Sequence, residues 1–87
     1  MVTKLVKIVN PTGLHVRPAG ILCREAMKFK SKITFVHDEN TANAKSVLSV
    51  LGACVKADDE ITLICEGPDE EEALKHLIIC IAEGLNE

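Results

Sequence analysis

His15 and Arg17 are the residues whose types and spacing best suit chemistry on an anionic group. They lie in the segment NPTGLHVRPAG (residues 10–20), where a glycine-bearing turn precedes a predicted first helical turn. Unpaired N–H groups and the positive end of the helix dipole make such a helix start a site for phosphate. The dipole favours an uncharged imidazole, which can attack phosphorus, and a guanidinium group matches phosphoryl oxygens. We expect His15 to accept a phosphoryl group beside Arg17; the alternative is a solvated histidine that caps the helix.

The phosphoryl group must come from a partner protein. The chain has no glycine-rich nucleotide loop of the Walker type, and no pair of carboxylates that would hold Mg²⁺ is evident near His15. We therefore expect a carrier without independent catalytic turnover. Arg24 follows Arg17 by two helical turns on nearly the same face, and it either contacts the partner or is a solvated charge.

Hydrophobic periodicity predicts four strands and three helices in the order β-α-β-β-α-β-α. Pro18 is tolerated only in a first helical turn, so the first helix should run from about Val16 to Lys28. A short helix should begin at Ser46 and end at Gly52, and Asp69 and Glu72 have the spacing of a capping box for the last helix. The predicted strands are residues 4–9, 32–36, 41–44 and a strand starting at Glu60. The fold class is α+β, with helices on one face of a small antiparallel sheet.

Two apolar stripes should face the core of this sheet. In the first helix the stripe comprises Ala19, Leu22, Cys23, Ala26 and Met27. In the last helix it comprises Leu74, Leu77, Ile78, Ile81 and Leu85.

Composition limits the class of protein. The 87 residues are 47% hydrophobic and 26% charged, which predicts one folded domain spanning residues 1–87. A net charge of −3 argues against a nucleic-acid partner. No apolar run approaches the roughly 20 residues of a membrane span, and no secretory signal is evident, so we expect a cytoplasmic protein without a membrane partner. The first 45 residues carry eight Lys or Arg against three Asp or Glu, which suits an anion site there.

The cysteines have no spacing typical of a metal site or a disulfide framework. Cys23, Cys54, Cys65 and Cys80 form no CxxC pair. We expect reduced thiols that act mostly as small apolar core groups, with no metal and no cofactor. Of the other histidines, His37 is predicted in a turn and His76 on a helix surface.

The segment GLHVRPA (residues 13–19) and the segment NAKSVLSVL (residues 43–51) resemble those of the HPr family. Its members are histidine-containing phosphocarriers of the bacterial phosphoenolpyruvate-dependent sugar phosphotransferase system, and the resemblance covers essentially the whole chain. It implies an open-faced β-sandwich of four antiparallel strands and three helices. It also implies that enzyme I phosphorylates Nδ1 of His15, that Arg17 is the active-site arginine, and that enzyme IIA domains receive the phosphoryl group.

The same resemblance implies a regulatory site and a docking patch. Ser46 matches the serine that an ATP-dependent HPr kinase/phosphorylase modifies in Gram-positive relatives, in carbon catabolite regulation that also involves a repressor; the alternative is a plain helix cap. Val47 and Leu48 match the partner surface, together with Arg24. We expect a monomer. A second possible function is a regulatory HPr-like module that acts through Ser46 and the Val47–Leu48 patch without relaying phosphate to sugar transport.

Two positions depart from the family pattern in ways that concern the backbone. Gly20 stands where the family usually has alanine, and Glu39 replaces a common turn glycine. A glycine loosens a helix by about 0.5–1 kcal/mol relative to alanine.

Overall fold

The structure is a computed structural model, and it describes residues 1–85. Four strands and three helices follow one another in the predicted order. The elements are β1 (Val2–Lys7), α1 (Val16–Ala26), β2 (Lys32–His37), β3 (Asn40–Asn43), α2 (Val47–Gly52), β4 (Glu60–Glu66) and α3 (Glu70–Ala82).

The strands form one antiparallel sheet in the order β1-β4-β2-β3. Alternate residues of the two central strands are buried, because successive side chains of a strand point to opposite faces. They are Ile33 and Phe35 in β2 and Ile61, Leu63 and Cys65 in β4. These side chains join a core cluster with Leu22 of α1 and Leu77 of α3. The predicted α+β fold, an open four-stranded sheet with three helices, is confirmed.

Helix α1 begins where Pro18 requires. His15 is its N-cap residue, and Pro18 lies buried in the first turn. The helix ends at Ala26, two residues before the predicted Lys28, and Met27 is its C-cap residue. Ala19, Leu22 and Ala26 are fully buried as expected, whereas Met27 is 62% exposed because the helix has already ended there.

The prediction that His37 belongs to a turn is wrong. His37 is the last residue of β2 and is buried, and the two-residue turn consists of Asp38 and Glu39, with positive φ angles of 52° and 114°. Nδ1 of His37 lies 2.8 Å from the carbonyl oxygen of Ala53, and Nε2 lies 2.9 Å from Oδ2 of Asp59. Because a carbonyl oxygen can only accept, Nδ1 is a donor, and the ring ties the hairpin to the C-cap of α2 and to the residue before β4.

The predicted capping box at the start of α3 is also wrong in its contacts. Asp69 is the N-cap residue, but its carboxylate makes no capping hydrogen bond to the helix. It accepts instead from the backbone N–H groups of Lys30 and Ser31, each at 2.9 Å, and from the Ser31 hydroxyl. The backward contact is made by Glu70, whose Oε1 accepts from the N–H of Gly67 at 3.1 Å.

Cys65 is a buried core thiol as expected, and Cys80 packs against the core cluster. Cys23 and Cys80 are half-buried, and Cys54 is exposed at a positive φ of 54°. All four are free thiols. The prediction that the cysteines serve mostly as core groups is therefore wrong for Cys54.

Candidate functional site

A tight turn fixes the backbone immediately before His15. Gly13 has a φ of +65°, and a Cβ atom there would lie 2.5 Å from the carbonyl oxygen of Val55. That carbonyl oxygen accepts from the N–H of Leu14 at 3.0 Å, and the buried side chain of Asn10 donates to the carbonyl oxygen of Gly13. The turn therefore requires glycine and is anchored to the segment that precedes β4.

His15 is exposed at the N-cap of α1. Its backbone is extended (φ −77°, ψ −174°), and its carbonyl oxygen accepts the first helical hydrogen bond, from Ala19 at 2.8 Å. Within residues 1–85, the imidazole makes no capping hydrogen bond to the helix. The N–H groups of Val16 and Arg17 lie in the first turn, where amides lack intrahelical acceptors. An exposed ring thus stands beside two backbone donors and the positive end of the helix dipole.

Arg17 is exposed in that first turn, whereas Arg24 is engaged elsewhere. Nε of Arg24 lies 3.3 Å from Oε2 of Glu25, and seven residues of helix separate Arg24 from Arg17 by about 10 Å along the axis. Arg17 is therefore the arginine beside His15, and Arg24 lies at the far end of α1. The side chain of Arg24 is 62% exposed, so it remains accessible to a partner.

Ser46 is the N-cap residue of α2. Its Oγ accepts from the N–H of Ser49 at 3.2 Å, and Oγ of Ser49 accepts from the N–H of Asn43 at 2.8 Å. The capping role proposed for Ser46 as the simpler alternative is thus present. Lys45 beside it donates from Nζ to the carbonyl oxygen of Phe29 at 2.7 Å, which ties the start of α2 to the end of α1.

The Val47–Leu48 pair divides between core and surface. Val47 is half-buried and packs against the core cluster. Leu48 is 83% exposed, the most exposed large apolar side chain among residues 1–85. Val16, directly between His15 and Arg17, is 61% exposed. Val16 of α1 and Leu48 of α2 therefore offer exposed apolar surface on two helices that contact each other.

The family model described as "PTS HPr component phosphorylation site" matches residues 2–83. The chain belongs to the HPr family. HPr proteins are phosphocarriers of the phosphotransferase system, and the chain is 42% identical over 74 residues to the phosphocarrier protein HPr of Treponema pallidum, covering 85% of this chain and 84% of that protein. It is 41% identical over 81 residues to the HPr-like protein Crh of Halalkalibacterium halodurans, covering 93% and 96%.

Solved HPr structures have the same fold. A crystal structure of HPr from Thermoanaerobacter tengcongensis superposes with a TM-score of 0.96 at 38% identity, covering 100% of this chain and 98% of that one. Another crystal structure from that bacterium is of an HPr dimer, at 39% identity and a TM-score of 0.80 over 94% of both chains. The similarity to HPr structures therefore does not by itself select the expected monomer. Among residues 1–85, none of the three helices is long and apolar enough to cross a bilayer.

Two features of the structure were not predicted from the sequence. Val16 is an exposed apolar residue next to His15, although Pro18 and Ala19, which follow closely in the helix, are buried. The second is a contact between Glu25 of α1 and His76 of α3, whose Oε1 and Nε2 atoms lie 2.6 Å apart. Hydrogen bonds from Lys28 and His76 hold the pKa of the Glu25 carboxyl at about 2. No local signal links residues 51 positions apart in the chain.

Proposed function

We propose that this HPr-family protein accepts a phosphoryl group from phosphorylated enzyme I on Nδ1 of His15 and passes it to enzyme IIA domains. The observation that carries the proposal is the exposed imidazole of His15 at the N-cap of α1, without a capping hydrogen bond to that helix in the described chain. The relay would operate in the cytoplasm, the compartment expected from the sequence.

In the proposed transfer, a bond forms between phosphorus and Nδ1 of His15 while the bond between phosphorus and the donor protein breaks. Nδ1 attacks through its lone pair, so the neutral ring carries its proton on Nε2 during the transfer. The N–H groups of Val16 and Arg17 and the Arg17 guanidinium would stabilise the oxygens of the phosphoryl group, which carry the developing charge. No covalent step falls to the chain itself other than at His15, which agrees with a carrier rather than an enzyme with turnover.

Leu48, Val47 and Arg24 are proposed as partner contacts. A small apolar area with cations at its edge suits a transient interface, because apolar contact supplies affinity while charge guides the encounter. The 83% exposure of Leu48 supports a role at the centre of this area. Val16 extends it to the edge of His15.

The test is incubation with phosphoenolpyruvate and enzyme I, followed by intact mass measurement. We expect one acid-labile phosphoryl group on the wild type and none on His15→Ala. His76→Gln is the matched control, because it removes another histidine whose ring meets solvent, and it should retain the label. Full labelling of His15→Ala, or loss of the label only in His76→Gln, would reject His15 as the acceptor.

A regulatory module without a sugar relay is the second candidate, and the similarity to Crh, an HPr-like protein, favours considering it. Such a module would act through Ser46 and the Val47–Leu48 patch. The presence of His15 and Arg17 together at the start of α1 favours the relay. The labelling experiment separates the two, since a module without a relay role would gain no phosphoryl group from enzyme I.

A further inference from the structure

Glu25, His76 and Cys80 bring three potential metal ligands together between α1 and α3. His76 and Cys80 are four residues apart on α3 and so share one face of that helix. Nε2 of His76 lies 2.6 Å from Oε1 of Glu25 and 3.5 Å from Sγ of Cys80, and Sγ lies 3.9 Å from the same Oε1. Only 10% of the Glu25 side chain is exposed, so a carboxylate is held largely out of water at this point.

The proposed chemistry of His15 does not use this Glu25–His76–Cys80 cluster. Ten residues of α1 separate Glu25 from His15, a distance of about 15 Å along the helix axis. Nor is the cluster arranged as a nucleophile with its base and orienting acid, because such a relay uses two different nitrogens of the imidazole. Here the single atom Nε2 faces both the carboxylate and the thiol, so the three ligand atoms converge on one point.

We propose that the cluster binds one Zn²⁺ ion. Zinc accepts thiolate, imidazole and carboxylate ligands together, with a Zn–S distance of about 2.3 Å and a Zn–N distance of about 2.0–2.1 Å. Tetrahedral ligation at those lengths separates sulfur from nitrogen by about 3.5 Å, which matches the 3.5 Å between Cys80 and His76. A cleft of ≈ 220 Å³, lined also by Ile21 and Glu83, gives water access to the fourth position.

Zinc binding requires three changes within the cluster. The thiol proton of Cys80 passes to solvent as the Zn–S bond forms, and the proton on Nε2 of His76 moves to Nδ1, which leaves Nε2 free to coordinate. The hydrogen bond between His76 and Glu25 opens by less than about 1 Å, as estimated from tetrahedral ligand separations, when Oε1 turns to the metal. The thiolate and the carboxylate together balance the two positive charges of the ion.

Two cationic side chains that contact Glu25 compete with zinc for its carboxylate. Nζ of Lys28 lies 2.9 Å from Oε1, and Nε of Arg24 lies 3.3 Å from Oε2. Both side chains are more than half exposed, so they can withdraw into solvent. Removing the Lys28 charge should therefore tighten zinc binding, whereas a merely structural ion pair would leave it unchanged.

The experiment uses the reduced full chain, titrated with Zn²⁺ by calorimetry and with Co²⁺ by absorption spectroscopy. We expect one ion per chain, with the sulfur-to-cobalt charge-transfer band and intense visible bands of tetrahedral cobalt. Cys80→Ser should abolish the charge-transfer band and weaken zinc binding by at least about tenfold, while Cys54→Ser, which removes the exposed thiol, should change neither. Lys28→Gln should increase zinc affinity.

Other outcomes decide against the site. A charge-transfer band that survives in Cys80→Ser and disappears in Cys54→Ser would assign the metal to the exposed thiol. Equal zinc affinity of the wild type, His76→Gln and Cys80→Ser would also overturn the proposal. Circular dichroism of each variant verifies that it is folded, and a phosphoryl-transfer measurement is not needed, so the outcome is independent of the role of His15.

Discussion

Asp69 at the start of α3 holds Ser31, the residue before β2, by two hydrogen bonds to one carboxylate oxygen. The Ser31 hydroxyl and backbone N–H both donate to Oδ1, and the N–H of Lys30 donates to Oδ2. These bonds hold the pKa of the Asp69 carboxyl at about 2, below its ordinary value of 3.8. A local capping residue is thus used as a link across 38 positions of the chain.

This link predicts a pH-dependent contribution to stability. The folded-state pKa of Asp69 is lowered, so its contribution is fully present above the unfolded value of 3.8 and is lost as the pH falls through about 2. The free energy of unfolding of the wild type should exceed that of Asp69→Asn at neutral pH, and the difference should shrink in acid. Urea unfolding across this range measures it; a difference that stays constant down to pH about 2 would contradict the assignment.

Gly20 and Gly13 should respond in opposite ways to alanine. Gly20 lies inside α1 with open space where a Cβ atom would project, so Gly20→Ala should raise the free energy of unfolding by about 0.5–1 kcal/mol. Gly13→Ala meets a positive φ and the carbonyl oxygen of Val55, so it should lower this free energy by at least about 1 kcal/mol. Chemical denaturation of both variants tests the pair, and equal effects would show that the turn before His15 is not constrained as described.

Glu39→Gly should stabilise the β2–β3 hairpin. Glu39 has a φ of 114°, which a side chain rarely adopts, and relief of that strain should raise the free energy of unfolding by about 1 kcal/mol. Asp38→Gly is the matched control: its φ of 52° is in the left-handed region that aspartate tolerates, so little gain is expected. The prediction fails if both variants gain equally or if Glu39→Gly gains nothing.

Arg17→Ala should slow phosphoryl transfer from enzyme I by about 10²-fold without unfolding the domain. The guanidinium is exposed at the helix start, so its loss removes charge stabilisation rather than core packing. Arg17→Lys keeps the charge but loses the forked geometry of the guanidinium, so its transfer rate should lie between those of the wild type and Arg17→Ala. Rapid-quench labelling gives the rates and thermal unfolding the stability; a wild-type rate for Arg17→Ala would show that the backbone donors suffice.

The two roles proposed for Ser46 can be separated by charge. Ser46→Ala removes the acceptor for the Ser49 N–H and should cost about 1 kcal/mol of stability while leaving enzyme I-dependent labelling unchanged. Ser46→Asp, and Ser46 phosphorylated by an HPr kinase, place negative charge beside the Val47–Leu48 patch and should slow labelling. Equal labelling rates in the wild type and both modified forms would leave Ser46 as a helix cap alone.

The sequence predicts those parts of the fold that depend on neighbouring residues. Pro18 locates the start of α1, and the alternation of Ile33 with Phe35 identifies an inward face of β2, because both signals act within one turn or one pleat. His37 could not be placed, since its burial depends on Ala53 and Asp59, which only the folded chain brings to its ring. The capping box predicted at Asp69 was wrong for the same reason, because donors of Lys30 and Ser31, distant in sequence, take the carboxylate that would otherwise cap α3.

In the candidate site, too, features with local sequence signals were predictable and features that depend on tertiary contacts were not. The positions of His15 and Ser46 at helix starts were predictable, because N-caps have local signals. The exposure of Leu48 and the contact between Glu25 and His76 depend on how α1, α2 and α3 are placed on the sheet. A glutamate such as Glu25 is normally solvated, so its place in the sequence offered no reason to expect a buried carboxylate.

The strand order has a consequence for the time course of folding. β1 is the first element in the order of the chain, yet within residues 1–85 its one partner in the sheet is β4. Val2 therefore cannot pair until Cys65 has been synthesised. A nascent chain leaving the ribosome can form the β2–β3 hairpin early, but the edge of β2 that faces β4 stays uncovered until β4 (Glu60–Glu66) has been synthesised. Pairings so distant in sequence carry a large loop-closure cost before they yield stability, which slows folding. Until β4 pairs with them, β1 and the edge of β2 that faces β4 have unsatisfied backbone hydrogen-bonding groups. During this interval a chaperone or a second nascent chain can bind these exposed edges.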